Sequence, residues 1–190
     1  MLPLLFLLSC GPPPDLVVTV VDEDGAPIPG SRVRYADHDA YCADEGDRFA
    51  CGGSGDLGIV VEALGYHSVE EVVSLGSRRR DLKPAEEHTA VLQRRAGCSG
   101  EPVDAVTVTV SEPELLRYIS LRGDGYGALA CTETADPTVY TCGPQRHGAL
   151  ELSVWSTDSD QRVDVFVEAD AEGCHPITEA ISVAMPVATR

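Results

Sequence analysis

The sequence predicts an all-β chain of two tandem Greek-key β-sandwich domains. Three observations carry this: Val- and Thr-rich segments broken by Gly and Pro, a plan that recurs in both halves, and cysteines divided between them. β-Branched residues pack well on a pleated surface and lose side-chain freedom in a helix, so such segments favour sheet. The 190 residues are 43% apolar, enough for one ordinary core or two small ones of about 80–90 residues each. Thirty-one acidic residues against 14 basic ones leave a formal charge of −17. That field repels phosphate backbones, so nucleic acid is not expected as a partner.

The chain opens on an apolar run, Leu2, Leu4, Leu5, Phe6, Leu7 and Leu8. It is far shorter than the ~20 residues of a membrane-spanning helix and reads as the apolar part of an export signal over residues 1–9. A buried N-terminal strand is the alternative, and Pro3 and the lack of alternation argue against it. The run closes in Leu7-Leu8-Ser9-Cys10, which resembles the lipobox of bacterial lipoproteins. The resemblance implies that Cys10 becomes a lipidated N-terminus, held in the membrane by two or three acyl chains. Residues 10–15 follow as the lipidated cysteine and a tether, in which Pro12-Pro13-Pro14 favours stiff, extended polyproline II. Gly11, rather than Asp, follows Cys10, and resemblance to the Gram-negative sorting pattern implies an outer-membrane lipoprotein, periplasm-facing or at the cell surface.

Leu16-Val17-Val18-Thr19-Val20-Val21 reads as a strand, and Asp22-Glu23-Asp24-Gly25 as the turn of a first hairpin into a strand at residues 31–36. Further strands are expected at residues 57–63, 66–73 and 87–93. The stretch from Val20 through Asp24-Gly25-Ala26-Pro27-Ile28-Pro29-Gly30 to Val33, with Gly55-Asp56-Leu57 and Ala63-Leu64-Gly65-Tyr66, resembles the carboxypeptidase regulatory-like domain, a transthyretin-like sandwich. The resemblance covers about residues 16–95. It implies a seven-stranded accessory module with no catalytic residues.

Residues 98–190 repeat the plan loosely and form a second, disulfide-stapled sandwich. Val106-Thr107-Val108-Thr109-Val110 corresponds to the first strand, and Cys142-Gly143 to Cys51-Gly52. Residues 149–155 correspond to 57–63, and the Asp-Gly-x-Pro-Ile turn has no counterpart. Arg94-Arg95-Ala96-Gly97 is the linker, too short to separate the domains far and expected to leave them nearly end to end with restricted motion.

Without Cys10 six cysteines remain, an even number that in an exported protein reads as three disulfides among fifteen possible pairings. The repeat selects Cys42 with Cys51 and Cys131 with Cys142, leaving Cys98 with Cys174. Zinc is the alternative, but no Cys-x-x-Cys occurs and the spacings are wide.

The search for chemistry finds no catalytic, cofactor or metal site. His38, His67, His88, His147 and His175 form no His-Glu-x-x-His pattern. Ser54 lacks the second glycine of a nucleophile elbow. Glu70-Glu71, Glu86-Glu87 and Asp158-Ser159-Asp160 read as solvated loops before they read as a calcium site. Arg78-Arg79-Arg80 is the one basic run and the candidate contact for an anionic partner or lipid headgroup, against the plainer reading of a loop tip. Trp155 is expected in the second core, although an exposed aromatic on a sheet face can stack on sugars. The functional expectation is a non-enzymatic, membrane-anchored lipoprotein whose sandwiches bind or space at the cell envelope, with an unnamed protein or glycan as partner. A carbohydrate-binding accessory module and a small envelope hydrolase are the competing classes.

Overall fold

A computed structural model describes residues 14–76, 84–157 and 159–185. Cys10, the polyproline tether and Arg78 to Arg80 lie outside them. The chain is all-β, in two sandwiches. In the first, β1 (Leu16–Val21), β3 (Ala43–Asp44), β4 (Phe49–Cys51) and β7 (Glu86–Val91) form one sheet in the order β3-β4-β1-β7. Strands β2 (Arg32–Tyr35), β5 (Gly55–Glu62) and β6 (Val69–Leu75) form the other. β1 alternates strictly, sending Leu16, Val18 and Val20 inward onto Val33, Ile59 and Val61 of the facing sheet.

The second sandwich uses β8 (Asp104–Val110), β9 (Leu116–Gly123), β10 (Tyr126–Ala130), β11 (Thr132–Glu133), β12 (Val139–Pro144), β13 (Gly148–Ser156), β14 (Asp160–Val167) and β15 (Glu179–Val183). Its sheets run β11-β12-β8-β15 and β10-β9-β13-β14. Each ladder of the first sandwich has a counterpart here: β4-β1 matches β12-β8, β2-β5 matches β9-β13, and the parallel pair β1-β7 matches β8-β15. The one addition is β10, on the edge of β9.

The disulfides follow the same repeat. Cys42 precedes β3 and joins Cys51 on β4, and Cys131 precedes β11 and joins Cys142 on β12. Cys98 joins Cys174 in the connection between β14 and β15, which crosses from one sheet to the other.

Several expectations are corrected. The Asp22–Gly25 turn does form, with the Asp22 carboxylate accepting from the Asp24 and Ala26 amides and Gly25 at φ +80°. It closes a short antiparallel bridge between Val21 and Pro27 but not the expected hairpin into the next strand, because β1 pairs with β4 and β7 while β2 pairs with β5 in the opposite sheet. The strand expected from Tyr66 begins at Val69, since Gly65 (φ +81°) and Tyr66 are held in the junction described below. Trp155 is 46% exposed. Leu150, Leu152 and Val154 of β13 face the core, so the alternation of the strand turns residue 155 outward.

Candidate functional site

Two places gather polar and aromatic side chains. The first is the junction between the sandwiches. The linker is pinned on both sides: Arg95 donates its backbone N–H to the Gly65 carbonyl and a guanidinium N–H to the Glu172 carbonyl. Arg94 donates to the Tyr66 hydroxyl at 3.0 Å and lies over its ring, which raises the Arg94 pKa further. Gly65 donates to the Gly173 carbonyl, and a Cβ added to it would stand 3.4 Å from the Cys174 carbonyl oxygen and 3.5 Å from the Cys98 Cβ.

Beyond the linker, β3 meets β10. Asp44 accepts from the Gly127 amide at 2.8 Å and faces the Arg146 guanidinium at 3.5 Å, both side chains only 8% exposed. Arg146 also donates to the Leu121 and Gly127 carbonyls at 3.1 and 2.7 Å, and burial lowers its pKa against the pull of Asp44. Buried charges are tolerated only when paired and hydrogen-bonded, and Arg146 is both. Gly30, at φ +67°, lies so close that a Cβ there would stand 2.5 Å from the Gln145 carbonyl oxygen.

Alongside, Arg32 bonds Glu62 at 2.8 Å and lies over the rings of both Tyr41 and Tyr126, 5.4 and 5.2 Å from their centroids. One of its N–H groups points at Nε2 of His147, 3.2 Å away. Arginine only donates, so Nε2 must accept, and the proton of the neutral ring sits on Nδ1, facing the Tyr126 hydroxyl at 3.1 Å. Burial and then Arg32 lower the His147 pKa, while burial pushes Tyr126 up to about 12.

The second place is the outer face of the β10-β9-β13-β14 sheet. Register fixes its rows. Tyr118, Trp155 and Asp160 are direct neighbours across β9, β13 and β14, then Ser120, Ser153 and Arg162, then Arg122, Glu151 and Asp164; Ala149 and Phe166 end the face. Trp155, Tyr118 and Phe166 are 46%, 45% and 66% exposed. Arg122 and Glu151 pair at 2.9 Å, and that bond holds the Glu151 carboxyl below its ordinary range. Around this pair, over Ala149 and beside Phe166, opens a cleft of about 580 Å³.

One nucleophile-to-base contact occurs that the sequence did not suggest. Ser99 Oγ lies 3.0 Å from His175 Nε2, and His175 Nδ1 is 3.3 Å from Gln145 Oε1. The third member is a neutral amide already accepting from the Val103 N–H. It orients the His175 ring but stabilises an imidazolium less than a carboxylate would. Of the other histidines, His88 bonds Glu71 and His38 bonds Asp37, the latter lowering the Asp37 pKa. No group of three or more metal-ligating side chains gathers among the described residues. No helix there is long and apolar enough to cross a membrane.

No family model matches the chain. No curated protein matches it either. Among solved structures it is similar to the Bacillus anthracis TIE protein, at 9% identity and a TM-score of 0.31 over 91% of this chain and 33% of that one. It is also similar to a streptococcal ancillary pilin, at 12% identity and a TM-score of 0.28 over 90% of this chain and 62% of that one. The chain thus spans less than two thirds of either, and a likeness this distant carries no functional argument.

Proposed function

We propose that the chain is a non-enzymatic bacterial lipoprotein, anchored in the outer membrane through lipid on Cys10, whose two sandwiches bind or space at the cell envelope. The observation that carries this is the cysteine ledger. The chain has seven cysteines, and six pair as three disulfides inside the sandwiches. Persistent disulfides belong to oxidising compartments, which supports export. The cysteine left over is Cys10, at the end of Leu7-Leu8-Ser9-Cys10, where a lipid anchor needs a free thiol. The first sandwich is read as a carboxypeptidase regulatory-like module and the second as a divergent copy, on their shared strand order. The junction supports a spacer role, because a linker bonded to both modules transmits the position of one to the other. Residues 78–80 remain the proposed contact for an anionic envelope component.

The test is Cys10→Ser in cells fed a radiolabelled fatty acid. Loss of label and release of the protein from membranes is the expected result. Retention of both label and membrane association in the variant overturns the anchor.

A further inference from the structure

We propose that the outer face of the β10-β9-β13-β14 sheet is a binding surface for an uncharged polysaccharide, a reading that rests on the envelope role above. Sugars present two kinds of surface, C–H faces that stack on aromatic rings and hydroxyls that exchange hydrogen bonds. This face offers both in register. Trp155 and Tyr118 lie directly opposite one another on adjacent strands at one end, and Phe166 lies at the other. Each leaves between roughly half and two thirds of its surface to solvent, although the alternation of β13 and β14 could have carried small polar residues there.

Between the aromatic ends lie solvent-accessible hydrogen-bonding side chains, first Arg162 and then Asp164 with the Arg122–Glu151 pair, whereas Ser120 and Ser153 in the row of Arg162 are buried and closed to a ligand. A guanidinium that only donates beside carboxylates that only accept is a complementary pair for adjacent hydroxyls. The rows are two residues apart along the strands, so three steps extend the face by ~20 Å, the reach of a short run of sugar units. An open cleft of about 580 Å³ lies over Ala149 at the far end.

Charge selects the class of polymer. Arg122 and Arg162 stand against Glu151, Asp160 and Asp164 on this face and Asp124 at the cleft, a small net charge beside the −17 of the whole chain. A polyanion is repelled by the chain as a whole. A neutral polymer of hydroxyl groups matches this weakly charged face.

Affinity electrophoresis tests this with the full-length protein in mild detergent, run through native gels containing hydroxyethylcellulose, dextran or galactomannan, with polygalacturonate as the anionic control. Retardation by at least one uncharged polymer is expected. Trp155→Ala should weaken it about tenfold and Trp155→Phe far less, because a ring is kept. Both variants should stay folded in urea titrations, with a modest fall in midpoint for Trp155→Ala because just over half of the Trp155 surface is covered and Tyr118 loses its cross-strand partner. Unchanged mobility in all three uncharged polymers overturns the proposal, as does retardation by polygalacturonate alone or retardation that Trp155→Ala leaves intact. None of these results touches the anchor: loss of glycan binding with Cys10-dependent membrane retention defeats this surface only, and membrane retention independent of Cys10 defeats the envelope reading.

Discussion

Replacing Asp44 by Ala is the sharpest test of how the sandwiches are joined. In the native junction the carboxylate accepts from the Gly46 and Gly127 amides at 2.8 Å each and faces Arg146 at 3.5 Å. Asp44→Ala removes the counter-charge but leaves the guanidinium buried. Deleting one partner of a buried pair costs about 3–5 kcal/mol, mostly the stranded charge. Arg146 keeps the Leu121 and Gly127 carbonyls, which places the loss near the lower bound, about 3 kcal/mol. For a chain of this size that is a fall of about 6–12 °C in melting temperature. Calorimetry should also show the single transition separating in two as the sandwiches uncouple. Asp44→Asn, which keeps an acceptor for Gly127 but no charge, should fall between. A double-mutant cycle with Arg146→Ala isolates the pair from the carbonyl bonds that Arg146 makes alone. A loss under about 1 kcal/mol for Asp44→Ala, with no coupling in the cycle, refutes the reasoning that the buried pair holds the junction.

Two further outcomes are expected. His147 has a lowered pKa, so as pH falls below about 6.5 the unfolded chain takes up the proton first and this residue's contribution to stability is lost. Protonation also turns Nε2 into a donor facing Arg32. His147→Gln should therefore flatten that part of the pH profile of urea unfolding, and an unchanged profile counts against the lowered His147 pKa. Disulfide loss should scale with loop length. On chain-entropy grounds, removing Cys98–Cys174, 76 residues apart, should cost ~4.5 kcal/mol, against ~2.5 for Cys42–Cys51, nine apart. Paired Cys→Ser variants in urea that lose equal amounts contradict this ordering.

The all-β class and most strands were legible because β-branched residues alternate where one face is buried, as in Leu16–Val21. The short strands β3 and β4 were not, since Ala43–Asp44 is too brief to show a period. The Asp22–Gly25 turn was readable as a turn, but a turn residue does not say whether the next strand pairs beside the last or crosses to the facing sheet. The size of Trp155 favours a core position and its phase does not, since Leu150, Leu152 and Val154 fix residue 155 as outward. The junction was invisible for another reason. Asp44 and Arg146 are 102 positions apart, and nothing local to either marks it as buried.

The parallel pairing of first and last strands has a mechanical consequence. Because β7 runs alongside β1 in the same direction, the chain enters the first sandwich at one end and leaves it at the other. β15 and β8 repeat this in the second. A pull on the two ends of either unit slides these strands past each other and does not peel them apart. The bonds of six matched residue positions in the first ladder, and five in the second, then break together instead of one at a time. A molecule strung this way resists tension in the direction along which a tether would load it.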